Sequence, residues 1–526
     1  MIKVLISDKM SPRAAEVFRE RGVEVDEKPG LSPEFLAQII GDYDGLAIRS
    51  ATAVTAEILA AAKGRLKVIG RAGIGVDNID QDAATAYGVC IMNTPFGNSI
   101  TTAEHTISMM MALARQIPAA DRSTHDGKWE KNRFMGVELY GKVLGVIGCG
   151  NIGAIVSDRA IGLKMRVVAY DPFLSEERAA DLGIERVDLD DLLARADFIT
   201  LHTPLNDATR GIINGDNIAK MKSGVRIVNC ARGGLVVEDD LRAAIDSGQV
   251  AGAAVDVFSA EPAKENALFG SEAVVATPHL GAATNEAQVN VAVQVAEQMS
   301  DYLLTGAISN ALNMASVSAE EAPRLRPYFT LARDLGSFAG QLTKTALKAV
   351  HIEFVGHVAG LNTRPLIAIV LEGLLRPLID NVNMINAPVI AKERGIEVRE
   401  TRDQGAGDYQ TLIRVEVTTE TQIRDVAGTL FADNRPRIVQ VKGINLEAEL
   451  AAHMLYITNE DKPGLIGSLG TLLGDSGINV ATFHLGRAEP GGDAIALLGV
   501  DQPIDDAVLT AVRALPHVAQ AQALNF

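Results

Sequence analysis

Along the first half of the chain, short apolar runs alternate with amphipathic stretches. Residues 2–6 are apolar, and Ser11-Pro12-Arg13 then opens a pattern of helical period. Residues 44–49 and 66–71 are further short buried runs, each ending in an arginine. Strands separated by helix-length segments give the βαβ rhythm of a parallel sheet, because parallel neighbours need a crossover that a helix supplies. A second unit of this kind begins near residue 98. Residues 100–115 read as a long helix and 143–147 as a buried strand. Strand-like runs recur at 165–170, 197–201, 225–229 and 252–257, and the pattern predicts a six-strand doubly wound sheet.

A helix over 285–304 leads into Asn310-Ala311-Leu312-Asn313, and the character then changes. Residues 316–450 have fewer turn glycines, two helical stretches (325–347 and 363–381) and strand-like segments such as 412–418. The last 75 residues read strand 453–458, helix 464–476, strand 478–486, strand 493–500, helix 504–514 and strand 517–525. That is the ferredoxin-like β-α-β-β-α-β order. The fold class predicted is α/β: two doubly wound, Rossmann-like parallel-sheet domains, then an α+β domain, then the ferredoxin-like unit.

Composition sets limits on this picture. The chain has 526 residues, a formal net charge of −17, 47% hydrophobic and 22% charged residues. So much apolar surface excludes disorder as the main state. An acidic total argues against a nucleic-acid partner, since a phosphate backbone is repelled. The apolar start is too short for a signal peptide and is followed by Asp8 and Lys9, and every long apolar run carries charges, so no membrane partner is expected. Three widely spaced cysteines imply neither a disulfide framework nor a zinc site, and point to a reduced, cytoplasmic setting with no metal.

Gly148-Cys149-Gly150-Asn151-Ile152-Gly153 follows one predicted strand and opens a helix, and the next strand ends at Asp171. This is the context a dinucleotide fingerprint requires. Gly148 permits the tight turn, Gly150 the approach of a pyrophosphate and Gly153 the helix–strand packing. Asp171 suits ribose hydroxyls and would repel a 2′-phosphate, which favours NAD over NADP. Past later strand ends stand Arg232, Glu261 and His279. Ligands in doubly wound sheets sit outside the carboxyl ends of the strands. A histidine can take a hydroxyl proton, a carboxylate beside it fixes its tautomer, and an arginine can hold a carboxylate bidentately. The trio suits oxidation of a 2-hydroxy acid.

At these residues the sequence resembles the D-isomer-specific 2-hydroxyacid dehydrogenase family. The matches are Cys-Ala-Arg-Gly-Gly at 230–234, Asp-Val-Phe-x-x-Glu-Pro at 256–262 and Thr-Pro-His-Leu-Gly-Ala at 277–282. The resemblance implies catalytic roles for Arg232, Glu261 and His279. It implies cofactor contacts by Gly148, Gly150, Asn151, Ile152, Gly153, Asp171 and Thr203, by Cys230, Ala231, Arg232 and Asp256, and by His279, Leu280, Gly281 and Ala282. Ile74 joins them as a departure, standing where some relatives carry a hydroxyl.

The segments 70–80, 93–99 and 127–136 narrow the resemblance to long-form members that act on a phosphorylated acid. That implies a substrate domain of residues 1–97 plus 287–315, an NAD-binding domain of 98–286, an intervening domain of 316–451 and a regulatory ACT domain of 452–526. The implied activity is oxidation of 3-phospho-D-glycerate to 3-phosphohydroxypyruvate with NAD, the first step of L-serine synthesis. The substrate carboxylate would meet Arg232 and the loop at Gly73, Gly75 and Val76. Its phosphate would meet Arg49 and Arg71, with Lys131 or Arg133 of a second subunit as further candidates. Asn459, Asp461 and Asn479 are the effector residues implied for L-serine, against the alternative of a capping loop in a dimerisation domain. A homo-oligomer, dimer or tetramer, is implied through residues 96–115. The alternatives are a glyoxylate or hydroxypyruvate reductase, and an NAD-sensing binding protein on the same fold.

Overall fold

The computed structural model describes residues 1–318, 320–405, 408–431 and 434–526. The first sheet is parallel, with strands β1 (Lys3–Ile6), β2 (Glu24–Glu27), β3 (Gly45–Ile48), β4 (Val68–Arg71) and β5 (Cys90–Asn93) in the order β2-β1-β3-β4-β5. β3 is buried along its whole length, as expected of a central parallel strand covered by helices on both faces, and the edge strand β5 is equally buried, with Met92 bridged to Ala311.

The second sheet is parallel throughout and has seven strands rather than the six expected. They are β6 (Val143–Ile147), β7 (Arg166–Tyr170), β8 (Glu185–Arg186), β9 (Phe198–Leu201), β10 (Val225–Asn229), β11 (Val250–Val255) and β12 (Val274–Ala276), in the order β12-β11-β10-β9-β6-β7-β8. The strands without a clear apolar run are the two edges, β8 with two residues and β12 with three. Edge strands this short carry too few residues to show a period. The chain order reverses between β6 and β9, the switch point beside which the Gly148 turn lies.

The third sheet is mixed: β13 (Leu347–Gly356), β14 (Glu397–Asp403), β15 (Thr411–Thr419), β16 (Ile423–Leu430), β17 (Pro436–Val441) and β18 (Ile444–Ala448). The helix expected over 325–347 runs Ala322–Gln341 instead, and Leu347 already begins β13. From Val350 the buried positions alternate (Val350, Ile352, Phe354), so a two-residue period takes over from the helical one. The second helix ends at Leu375, not 381: Arg376 is still helical, but Pro377 has no amide with which to continue the hydrogen-bond ladder.

The fourth sheet is antiparallel: β19 (His453–Glu460), β20 (Val480–Arg487), β21 (Asp493–Val500) and β22 (Val518–Asn525), ordered β20-β21-β19-β22. With the helices Leu465–Asp475 and Asp506–Arg513 this is the βαββαβ arrangement expected. Among the described residues no helix is long and apolar enough to cross a membrane.

The cores divide unevenly. One continuous cluster links the first sheet (Val4, Met92), the returning helix Asn285–Thr305 (Val295, Met299), the third sheet (Val350, Ile413) and the face of the fourth sheet at Tyr456 and Leu497. The seven-stranded sheet has clusters of its own on its two faces.

Candidate active site

The glycine turn is shaped for a dinucleotide. Gly148 has φ +90°, and a Cβ there would lie 2.5 Å from the His202 carbonyl oxygen. A Cβ at Gly153 would meet the Gly148 carbonyl at 2.1 Å, which is the close helix–strand contact expected of the third glycine. Gly150 faces open space: no heavy atom lies within 4 Å of where its Cβ would be. The helix Asn151–Gly162 starts there with no side chain capping its amides, so the amides of Asn151 and Ile152 are available to a pyrophosphate. Asp171 stands at the end of β7 and turns back onto the loop, accepting from Cys149 N and Phe173 N, both at 2.8 Å. Thr203 follows β9 beside it, next to a half-buried His202 whose imidazole is pushed down to about 3 by loss of solvent. The donor set fits NAD.

Arg232, Glu261 and His279 lie past the carboxyl ends of β10, β11 and β12. The structure brings Glu261 and His279 together: Glu261 Oε2 is 2.7 Å from His279 Nδ1, and Glu261 Oε1 accepts from Phe258 N at 3.0 Å. Arg232 reaches across to the first sheet, where its Nε donates to Asp77 Oδ2 at 3.0 Å and its Nη1 to the Ala231 carbonyl at 2.7 Å. Sequence reasoning gave Asp77 no role, although it lies inside the segment 70–80. Cys230 is a buried thiol pushed up to about 12 by burial, so it is packing rather than a nucleophile.

Asp256 is wholly buried beneath the turn that carries His279. Its carboxylate accepts from Thr277 Oγ1 at 2.6 Å, Leu280 N at 2.7 Å and Gly281 N at 2.8 Å, with His105 Nε2 at 3.3 Å. Burial works against its charge, but His105, Thr277 and the Leu280 amide outweigh that and hold the carboxyl below the usual range. Asp256 therefore shapes the turn from Leu280 to Ala282. Thr102 Oγ1 fastens the same turn by donating to the Gly281 carbonyl at 2.9 Å.

The loop after β4 is a cationic cradle. A Cβ on Gly73 would sit 1.4 Å from Arg71 Nη1, and one on Gly75 would sit 1.8 Å from Arg232 Nη2. A side chain at either position would have to displace the guanidinium group now beside it. Gly73 has φ +143° and its amide donates to Thr94 Oγ1 at 2.6 Å. Val76 and Ile74 are half-buried in this loop, and the Ile74 carbonyl accepts from Asn93 Nδ2 at 2.7 Å, so Ile74 contributes backbone rather than a side-chain hydroxyl. Arg71 is pushed down to about 10, first by burial and then by the charges of Arg232 and Arg49. Its Nε is buried without a hydrogen-bond partner. Arg49, lowered by burial, is placed by Asp8, whose carboxylate accepts from the Arg49, Ala51 and Thr52 amides. Arg133, a candidate for service in a second subunit, is committed within its own chain to Glu272 at 2.5 and 2.7 Å.

In the fourth sheet, Asn459 is buried, with Nδ2 donating to the Glu460 carbonyl at 2.8 Å and Oδ1 unpartnered. Asp461 does not stand free for an ammonium group. It accepts from Gly491 N at 3.1 Å and Arg487 Nη1 at 3.0 Å, which together hold its carboxyl below the usual range. Asn479 is exposed and donates to Asp501 at 2.7 Å.

Comparisons with known proteins agree with this layout. Residues 107–281 match the NAD-binding domain of D-isomer-specific 2-hydroxyacid dehydrogenases, 324–442 the D-3-phosphoglycerate dehydrogenase intervening domain, and 453–517 the ACT domain. The chain is 42% identical to D-3-phosphoglycerate dehydrogenase of Synechocystis over 99% of its own length and 94% of that protein. It is 40% identical to the Bacillus subtilis protein of that name over the full length of both. Among solved structures, NAD+-bound 3-phosphoglycerate dehydrogenase of Entamoeba histolytica matches with TM-score 0.51 and 29% identity, covering 59% of this chain and 98% of that one. A glyoxylate reductase from Paecilomyces matches with TM-score 0.56 and 30% identity over 59% and 98%. By full-length similarity and by all three matched domains, this chain belongs to the D-3-phosphoglycerate dehydrogenases, NAD-dependent enzymes of the D-isomer-specific 2-hydroxyacid dehydrogenase family.

Proposed function

We propose that the cleft between the first and second sheets oxidises 3-phospho-D-glycerate to 3-phosphohydroxypyruvate, the step that commits carbon to L-serine. The carrying observation is the convergence of the Glu261–His279 pair with Arg232 and the cationic loop at Gly73–Gly75. Arg232 binds the substrate carboxylate bidentately, releasing Asp77 as it does so. Glu261 accepts a hydrogen bond from Nδ1–H of His279, which fixes the tautomer and leaves Nε2 as the base for the C2 hydroxyl proton. Asp256 holds the backbone turn on which that imidazole sits. Arg71 and Arg49 receive the phosphate, whose charge offsets their burial and mutual repulsion. Bound NAD supplies the hydride acceptor, held by the turn at Gly148–Gly153, by Asp171 and by the segment around Thr203 and Cys230.

The buried, unpartnered Nε of Arg71 favours a phosphorylated acid over the short acids of a glyoxylate or hydroxypyruvate reductase. The intact acid–base pair favours an enzyme over an NAD-sensing binding protein. The test is NAD reduction with 3-phosphoglycerate against a panel of unphosphorylated 2-hydroxy acids. The phosphorylated acid is expected to have a kcat/KM at least about tenfold higher, the worth of one charge-assisted contact. A preference for glycerate or glycolate would defeat the assignment.

The ACT domain is the proposed site of L-serine feedback. Its support is Asn459, buried with an open acceptor, next to the start of the helix Leu465–Asp475, where amides attract a carboxylate. An incoming ammonium group must compete with Arg487 for Asp461. Saturating serine is expected to lower kcat and raise Tm, and Asn459→Ala to abolish both responses. Serine without effect on either would remove the effector role. Exposed Phe96, Ile100 and Met111 support a homo-oligomer through residues 96–115, and the three free buried cysteines fit a cytoplasmic setting.

A further inference from the structure

We infer that Glu238 is a positioning residue for the reaction, clamping the loop that carries Glu261 and thereby setting the aim of His279. The inference rests on the catalytic reading proposed above. Glu238 opens the helix Glu238–Asp246, a few residues beyond Arg232. Its carboxylate accepts three hydrogen bonds from the Glu261 loop, all at 2.8 Å: Ser259 N to Oε1, Ser259 Oγ to Oε2 and Asn266 Nδ2 to Oε2. Ser259 and Asn266 bracket Glu261 in the chain.

The need for such a clamp follows from exposure. The side chains of His279 and Glu261 are 51% and 35% exposed, so close packing does not hold them in place. Hydrogen bonds must do it. Glu261 spends Oε1 on Phe258 N, which leaves Oε2 for His279. Phe258 and Ser259 are thus the platform on which Glu261 stands. The Phe258 carbonyl presses on Gly233, where a Cβ would lie 1.8 Å from it, and Glu238 fixes Ser259 from the other side. An ionised acceptor in the first turn of a helix is favoured by the helix dipole, and hydrogen bonds to it are of the stronger kind. The segment with Arg232 and the segment with Glu261 are therefore referenced to one another through a single residue. Misplacing a catalytic group by about 1 Å can cost about 10²-fold in rate.

The test is a double-mutant cycle with the full-length enzyme. Glu238→Ala is expected to lower kcat about tenfold or more while the Kd for NAD, read by fluorescence titration, stays within about threefold. Glu238→Gln, which keeps one acceptor oxygen, should recover most of the loss. In a Glu261→Gln background the Glu238→Ala change should cost less than about twofold more, because its effect acts through Glu261. The primary isotope effect with 2-deuterated substrate should rise as the chemical step slows. A kcat for Glu238→Ala within about threefold of wild type, or losses that multiply in full with Glu261→Gln, would overturn the clamp. If Glu238→Ala does not fold, Asn266→Ala removes one bond only. It should lower kcat with NAD binding unchanged, and an unaltered kcat would count against the proposal. Wild-type enzyme inactive on 3-phosphoglycerate would instead defeat the catalytic reading.

Discussion

Replacing His279 with alanine is expected to lower kcat by about 10²–10⁴-fold, with the Kd for NAD changed by no more than a few-fold. The imidazole Nδ1 meets the Glu261 carboxylate at 2.7 Å, so its removal takes away both the base and one of the two partners of Glu261. The pyrophosphate turn is built separately, from Gly148, Gly150 and the helix Asn151–Gly162, which is why cofactor binding should survive. The backbone adds a complication. His279 has φ +57°, in the left-handed region where alanine is strained by about 1–2 kcal/mol. His279→Asn is the cleaner variant, since asparagine tolerates that conformation and offers no base at neutral pH. Comparing steady-state kcat for both variants separates loss of the base from distortion of the turn. Activity within a few-fold of wild type in His279→Asn would remove this residue from the mechanism.

Arg71→Ala is the second large effect, and it should appear in KM rather than kcat. Hydrogen bonds to a charged partner contribute about 1.5–3 kcal/mol, so the KM for 3-phosphoglycerate should rise about 10–100-fold while that for NAD barely moves. Equal effects on both would sink the phosphate assignment. The guanidinium of Arg71 is depressed to about 10. The charged form is disfavoured in the folded protein without ligand, so Arg71 carries a cost to stability at neutral pH. A phosphate at the cradle reverses that cost at neutral pH. Inorganic phosphate should therefore raise the Tm of the wild type at pH 7.5 more than that of Arg71→Ala.

The distribution of cores bears on regulation. The ACT sheet, the third sheet and the first sheet share one hydrophobic cluster, in which Tyr456 of β19 packs edge-on against Phe338 with ring centroids 5.7 Å apart. Gln341 extends that joint by exchanging two hydrogen bonds with the Asn525 backbone, both at 2.8 Å. Asn383 and Asn386 tie the third part to the first by donating to the Gly88 and Ala86 carbonyls. The NAD-binding sheet stands apart with cores of its own. Packed cores transmit small shifts because they are close-packed, so the ACT sheet is joined more directly to the first sheet than to the NAD-binding sheet.

Much of this architecture was legible as periodicity. The strand Val143–Ile147, the turn at Gly148–Gly153 and the βαββαβ order of the last sheet all follow from local patterns of apolar residues and glycines. Local patterns ended where long-range contacts decide. The edge strands β8 and β12 are too short to show a period, and the helix after Ala322 gives way to β13 because β15 and β14 supply the pairing.

The site divides in the same way. Arg232, Glu261 and His279 were readable as residue types past strand ends, and Gly73 and Gly75 as a glycine-rich loop. Their sequence could not say that each glycine makes room for a particular guanidinium, that Asp77 occupies Arg232, or that Asp461 is already paired with Arg487. Nor could it say that Asp256 points inward to hold a turn while Glu261, five residues on, points outward to the histidine. The sequence by itself determined the order of the elements, the dinucleotide turn and the inventory of reactive groups, since these depend on short-range sterics and hydrophobic period. Only the tertiary structure decided which of those groups face one another, because pairing in space depends on how sheets and loops distant in the chain are packed together.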